Sequence, residues 1–179
     1  MFQEEKNLSR DVGAREIIFG ERRDAEMDRI DRKILDLLQQ DGSLSVADIG
    51  QQVGLSATPC WKRIQRLEAQ GVIQRRVALL DAEKLGLGLT VFVCIEAGDH
   101  SQESIDRFVD AIATMSEVVE FHRMAGDVDY LLRVIVPDVK AYDLFYKRLI
   151  SIVPLKNVSS RFSVERVKST TALPIEIVA

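Results

Sequence analysis

The chain has 179 residues, 46% of them apolar, with a formal net charge of −4. That length suits one large or two small domains with real cores. No apolar run approaches a membrane span and the Met-Phe-Gln-Glu-Glu-Lys start lacks a signal-peptide profile, so a cytoplasmic protein is expected.

Residues 1–26 mix acids with Lys6, Arg10, Arg15, Arg22 and Arg23 and show no sustained period, which predicts a flexible extension, with Met27 as a natural domain start and a candidate translation start. From there the pattern turns helical. Asp28 or Asp31 can cap a helix whose Ile30, Ile34, Leu37 and Leu38 share one face, and Asp41-Gly42 stops it. Ser45 caps a second helix, with Asp48 in the capping-box position and Val46, Ile49 and Val53 on one side. Gly54 can take the left-handed conformation that ends it.

Ser56 then caps a third helix. Ala57, Cys60, Ile64 and Leu67 fall on its expected inward face; Thr58, Lys62, Gln65 and Arg66 fall opposite, with Arg63 on the flank. Between Ser56 and Arg76 the basic residues are Lys62, Arg63, Arg66, Arg75 and Arg76, against the single acid Glu68. A helix, a glycine turn and a basic second helix can place that helix in a DNA major groove, cations on phosphates and short polar side chains on base edges. The bland alternative is a helical hairpin with a solvated charged face. The caps, the turn and the upstream helix favour DNA binding over it. The overall negative charge counts weakly against a nucleic-acid partner, but the basic cluster is local. Trp61 flanks the inward face and is expected to pack within the domain, a base contact being the second alternative. Cys60 is expected to be a core residue and not a redox sensor.

Past Gly71, Val72-Ile73 and Val77–Leu80 predict a small β wing or an outgoing strand, and Gly86-Leu-Gly88 a flexible join. The second half alternates strand and helix. Strands are expected at 89–97, 118–124, 130–136 and 158–167, and helices after Ser101 and Pro137-Asp138. The order β-α-β-β-α-β is the ferredoxin-like plan, with helices on one face of a four-stranded sheet and the other face left for a partner subunit. The fold class is therefore α+β: an N-terminal winged helix-turn-helix domain (27–85) behind a flexible extension (1–26), joined to a C-terminal ferredoxin-like domain (86–179). Cys60 and Cys94 are expected to be buried free thiols. With His100 and His122 they show no metal-ligand spacing, so neither a metal nor a cofactor is expected. No activated nucleophile, phosphate loop or acid/base pair stands at a recognisable spacing, so an enzyme is not expected.

The stretches Asp28-Arg-Ile-Asp-Arg-Lys-Ile-Leu, Ser56-Ala-Thr-Pro-Cys-Trp-Lys-Arg-Ile-Gln-Arg-Leu-Glu, Gly71-Val-Ile, Gly126-Asp127-Val-Asp129-Tyr130 and Thr170-Thr-Ala-Leu-Pro174 together resemble the Lrp/AsnC, or feast/famine, family of transcriptional regulators. The resemblance covers Met27 to about Ile175. It is strongest to the cysteine-responsive detoxification branch, through Val77-Ala-Leu-Leu-Asp, Arg123-Met-Ala-Gly and Phe145-Tyr-Lys-Arg-Leu. The extension before Met27 departs from the usual family start.

The resemblance implies a regulator that binds double-stranded DNA as a homo-oligomer, a dimer or a higher assembly of dimers such as an octamer. It implies a RAM/ACT-like C-terminal domain that assembles and binds a small amino acid, cysteine being the first expectation. The DNA set would be Ser56, Thr58, Lys62, Arg63, Arg66, Arg75 and Arg76. The effector set would be Arg123, Gly126, Asp127, Asp129, Ser169, Thr170 and Thr171. The residues alone leave the Gly-Asp-x-Asp stretch equally open as plain hairpin-turn chemistry. A ligand's ammonium needs acceptors such as Asp127 or Asp129, and its carboxylate needs hydroxyls, backbone N–H groups or a cation. Two other functions stand as alternatives: a small-molecule-binding ferredoxin-like protein, and an adaptor using its helix-turn-helix for protein contacts.

Overall fold

The computed structural model describes residues 27–175. The expected flexible extension, 1–26, lies outside them. Two compact units form: one ends at Val77 and takes back the chain from Thr171, and the other is Ala78–Thr170. The junction expected at Gly86 thus differs from the compact division.

The described residues of the first unit form three helices. Helix α1 (Arg29–Gln40) begins with a complete capping box. The Asp28 carboxylate accepts from the backbone N–H groups of Ile30 at 2.8 Å and Asp31 at 2.9 Å, and the Asp28 N–H donates to Asp31 at 3.2 Å. Helix α2 (Val46–Val53) starts at Ser45, whose hydroxyl accepts from the Asp48 N–H, and ends at Gly54 with φ 77°. Helix α3 (Ala57–Ala69) follows Ser56, which has extended cap geometry but no side-chain cap bond. Ile34, Ile49, Cys60 and Ile64 form the core, flanked by Leu38, Val53, Leu55 and Ile73.

The buried side of α3 narrows to Cys60, Ile64 and Leu67, leaving Ala57 exposed against expectation. The reason is where α2 meets α3. A Cβ at Gly50 would lie 2.8 Å from the Leu55 carbonyl oxygen and 3.5 Å from the Cys60 Cβ, so the closest approach is at Cys60 and Ala57 lies a turn ahead of it. The expected wing is absent: residues 72–80 form no strand, and Val77, Leu79 and Leu80 are exposed. Gln74-Arg75-Arg76 offers no turn residue to fold a hairpin, and an extended run without a neighbour has no ladder to join. Near the end of the chain the Gln39 amide clasps the Leu173 backbone, donating to its carbonyl at 3.1 Å and accepting from its N–H at 2.8 Å.

The second unit is the expected β-α-β-β-α-β order: β1 (Leu89–Ala97), α4 (Gln102–Ala113), β2 (Val118–Arg123), β3 (Tyr130–Val136), α5 (Val139–Ile150) and β4 (Leu155–Phe162). The sheet runs β2-β3-β1-β4, all neighbours antiparallel. Ser101 and Asp138 cap the two helices through their side chains. Phe108 and Ile112 of α4 and Tyr142, Phe145 and Leu149 of α5 pack on Val91, Val93, Ile95, Leu132 and Val134. The Tyr142 hydroxyl bonds Ser160 within this layer.

Strand β4 is earlier than expected, starting just after Pro154 and stopping at Phe162. The alternating pattern continues to Val167, but β1 runs out: Phe162 pairs with Val91, Ser163 donates to the Thr90 carbonyl, and Val164 and Val167 stand in solvent. Periodicity persists there without a partner strand. No helix of this unit covers the sheet face bearing Phe92, Cys94, Leu131, Arg133 and Ile135. Residues 130–136 alternate buried and half-buried accordingly. Among the described residues no helix is long and apolar enough to cross a membrane.

Candidate functional site

The exposed face of α3 carries Thr58, Lys62, Gln65 and Arg66, with Ser56 at its leading end. These residues project because Cys60, Ile64 and Leu67 claim the opposite side for the core. The Ser56 hydroxyl, free of a capping bond, stays available at the N-terminal end. Lys62 and Arg75 are exposed and have no ion-pair partner among the described residues. Arg76 reaches Glu68 at 3.5 Å, and Gln65 donates to the same carboxylate at 2.9 Å, so the one acid of this surface is occupied.

Arg63 and Arg66 have a second employment that spacing did not reveal. Asp31 is completely buried. The Arg63 guanidinium donates to it at 2.9 Å and to Asp28 at 2.7 Å, while Arg66 bonds the other Asp31 oxygen. Two arginines one helical turn apart on α3 therefore grip the acidic first turn of α1. The Asp31 backbone N–H and the Arg63 guanidinium hold the Asp28 carboxyl below its ordinary pKa. Asp28 and Asp31 in turn keep Arg63 more firmly protonated than usual. The Arg63 side chain is only 26% exposed, whereas Arg66 is 46% exposed and still faces solvent. The signal was present in the sequence as acids at both α1 cap positions, but only the tertiary fold joins residues so far apart.

Trp61 is half exposed, so it does not bury itself in the domain as expected. Cys60 is buried, and burial pushes its thiol pKa up, which suits a core residue and not a redox sensor. Cys94, expected to be buried, is only partly covered, because it sits on the sheet face that no helix of its unit covers.

In the second unit the structure brings Arg123, Gly126, Asp127 and Asp129 together on the connection between β2 and β3. Gly126 has φ 135°, a conformation that other residues rarely adopt, with open space where a Cβ would stand; its role is backbone shape. Asp129 is structurally committed. Its carboxylate accepts from the Ala97 N–H at 2.7 Å, its N–H donates to the Ile95 carbonyl at 2.9 Å, and its carbonyl accepts from Met124 at 2.8 Å. These bonds fasten the connection to the end of β1. Asp127 and Arg123 remain exposed. Ser169, Thr170 and Thr171 lie on the exposed, non-regular segment after β4, and the division between the units falls between Thr170 and Thr171.

Comparison with known proteins matches both units. Residues 27–68 fit the AsnC-type helix-turn-helix domain, and residues 90–173 fit the Lrp/AsnC ligand binding domain. The chain is 55% identical over 151 residues to the DNA-binding transcriptional activator DecR of Escherichia coli (strain K12), covering 84% of this chain and 99% of that one. The crystal structure of an AsnC family transcriptional regulator from Agrobacterium tumefaciens superposes with a TM-score of 0.82 at 56% identity, covering 86% of this chain and 100% of that one. A transcriptional regulator of Neisseria meningitidis, solved in complex with L-methionine, superposes with a TM-score of 0.81 at 30% identity, covering 85% of this chain and 99% of that one. With a basic helix-turn-helix in one unit and the ligand-domain topology in the other, the chain belongs to the Lrp/AsnC family: it is a DNA-binding transcriptional regulator and not an enzyme.

Proposed function

We propose that the chain is a cytoplasmic regulator whose grip on double-stranded DNA is set by a small amino acid, cysteine first among the candidates. The observation that carries the DNA half is the α3 face, where Ser56, Thr58 and Lys62 are unobstructed and Glu68, the one acid between Ser56 and Arg76, is already paired. Ser56 and Thr58 meet the groove, Lys62, Arg66 and Arg75 meet phosphates, Arg76 does so on leaving Glu68, and Arg63 chiefly holds the helix in place. The sensing half rests on the Gly126–Asp129 connection. Asp127 offers a free carboxylate for the ligand ammonium, and Arg123, Ser169 and Thr170 suit its carboxylate. Thr171, across the unit division, is the least favoured of the set. That a solved relative holds L-methionine supports an amino acid as ligand. The uncovered sheet face supports a homo-oligomer, a dimer first and larger assemblies of dimers beyond it. The ligand acts by binding assembly or orientation states unequally, which is the requirement for any effector.

The test is fluorescence anisotropy of the protein on DNA from upstream of its own gene, at fixed salt, with each amino acid added in turn. One amino acid should shift affinity or stoichiometry, and Asp127→Ala should bind DNA as before while losing that response. A full response in Asp127→Ala would remove the connection from the ligand site.

A further inference from the structure

Trp61 is the single tryptophan of the chain, and it is 50% exposed. Thr58, Trp61, Lys62 and Gln65 stand at i, i+3, i+4 and i+7, so they form one stripe along α3, with Trp61 at its edge, flanking the side that buries Cys60, Ile64 and Leu67. An indole half in water forgoes much of the burial that makes aromatic side chains favourable, and its neighbours on the stripe are polar. A partner that covers it must therefore be apolar where it meets the ring and anionic around it. Lys62, Arg66, Arg75 and Arg76 supply the surrounding positive charge, and Glu68 is tied to Arg76 and Gln65. Among candidate partners, the DNA major groove offers that combination: phosphates along both walls, and thymine methyl groups projecting from its floor. Trp61 also lies in the N-terminal half of α3, the part of a groove-entering helix that reaches base edges.

We propose that Trp61 is a base-reading residue, its indole packed on the C5-methyl of a thymine at a fixed position in each half-site. This rests on the proposal that α3 enters the major groove, and it adds a specificity that the phosphate-binding cations cannot provide. The indole face supplies apolar contact, and its single N–H can donate to a neighbouring acceptor on the groove floor.

The experiment begins by selecting preferred duplexes from a randomised pool with the full-length protein. Anisotropy then measures the wild type, Trp61→Ala and Trp61→Phe on a selected duplex, on a random duplex, and on copies of the selected one with each thymine in turn replaced by deoxyuridine. One thymine per half-site should matter to the wild type, its methyl loss weakening binding about fourfold, as for one buried methyl group. Trp61→Ala should be indifferent to that replacement. It should also bind the selected duplex about tenfold or more weakly, as for loss of a base contact, while binding random DNA nearly as the wild type does. Trp61→Phe should keep part of the preference. Independently of any substitution, the lone tryptophan's emission should change on adding the selected duplex and far less on adding the random one. Equal uracil sensitivity in wild type and Trp61→Ala, or equal losses on selected and random DNA, overturns the assignment and leaves DNA binding intact. Absence of any salt-dependent DNA affinity in the wild type overturns both.

Discussion

Replacing Asp31 by Asn should unfold the DNA-binding unit more readily than any surface change. Asp31 is fully buried, and its two oxygens serve Arg63, Arg66 and the Asp28 N–H. Asn keeps the shape but turns one acceptor into an N–H₂ group that faces donors. Breaking a buried ion pair by removing one partner costs about 3–5 kcal/mol. Here the stranded arginines are 26% and 46% exposed and can regain water, which places the loss near the low end, about 3 kcal/mol. The assay is urea unfolding of the full-length protein followed by tryptophan fluorescence, which reports this unit alone because Trp61 is the single tryptophan. With a slope of about 1 kcal/mol per molar urea, as for a small unit, the midpoint should fall by about 3 M. A loss below about 1 kcal/mol would refute the assignment of Asp31 as the charge that holds α3 to α1. A triple variant, Asp31→Leu with Arg63→Met and Arg66→Met, should recover most of the loss, since whole buried ion clusters are often replaceable by apolar groups.

Three further outcomes follow from other parts of the molecule. Lys62→Ala should lower DNA affinity and reduce the slope of log affinity against log salt by about one unit, with urea stability unchanged; a normal slope in titrations at several salt concentrations would take Lys62 off the phosphates. Gly50→Ala should destabilise the first unit by about 1–3 kcal/mol, because its Cβ would lie 2.8 Å from the Leu55 carbonyl oxygen, and the same urea assay would expose a silent substitution. Asp28 has a lowered folded pKa, so its contribution to stability is present above its unfolded value of about 3.9 and is lost as pH falls through the folded value. Asn retains capping ability without the charge, so Asp28→Asn should flatten the acid limb of the stability curve below about pH 4; an unchanged limb would count against the Arg63 pairing.

What the sequence disclosed was mostly local. Asp28, Ser45, Ser101 and Asp138 marked helix starts because a cap bonds backbone groups two or three residues away. The strand order followed from alternation and from the connection at Gly126. Non-local facts escaped. Periodicity cannot distinguish an arginine facing solvent from one holding a buried carboxylate on another helix, so Arg63 read as a phosphate ligand. Nor could it show that the pattern beyond Phe162 had outrun its partner strand. Trp61 follows buried Cys60 and precedes buried Ile64, a flank position where the wheel leaves either fate open, and packing decided for exposure.

The clasp between Gln39 and Leu173 has a bearing on synthesis. The bonded residues are 134 positions apart, with the whole second unit translated between them. At about 5–20 residues per second, the Gln39 amide waits roughly 7–27 s after emerging before its partner is made. The cores of α1, α2 and α3 draw only on residues up to Ile73 and can close early. A nascent DNA-binding unit thus reaches its packed interior while the ribosome is still working, and acquires this fastening only after the whole second unit has been read.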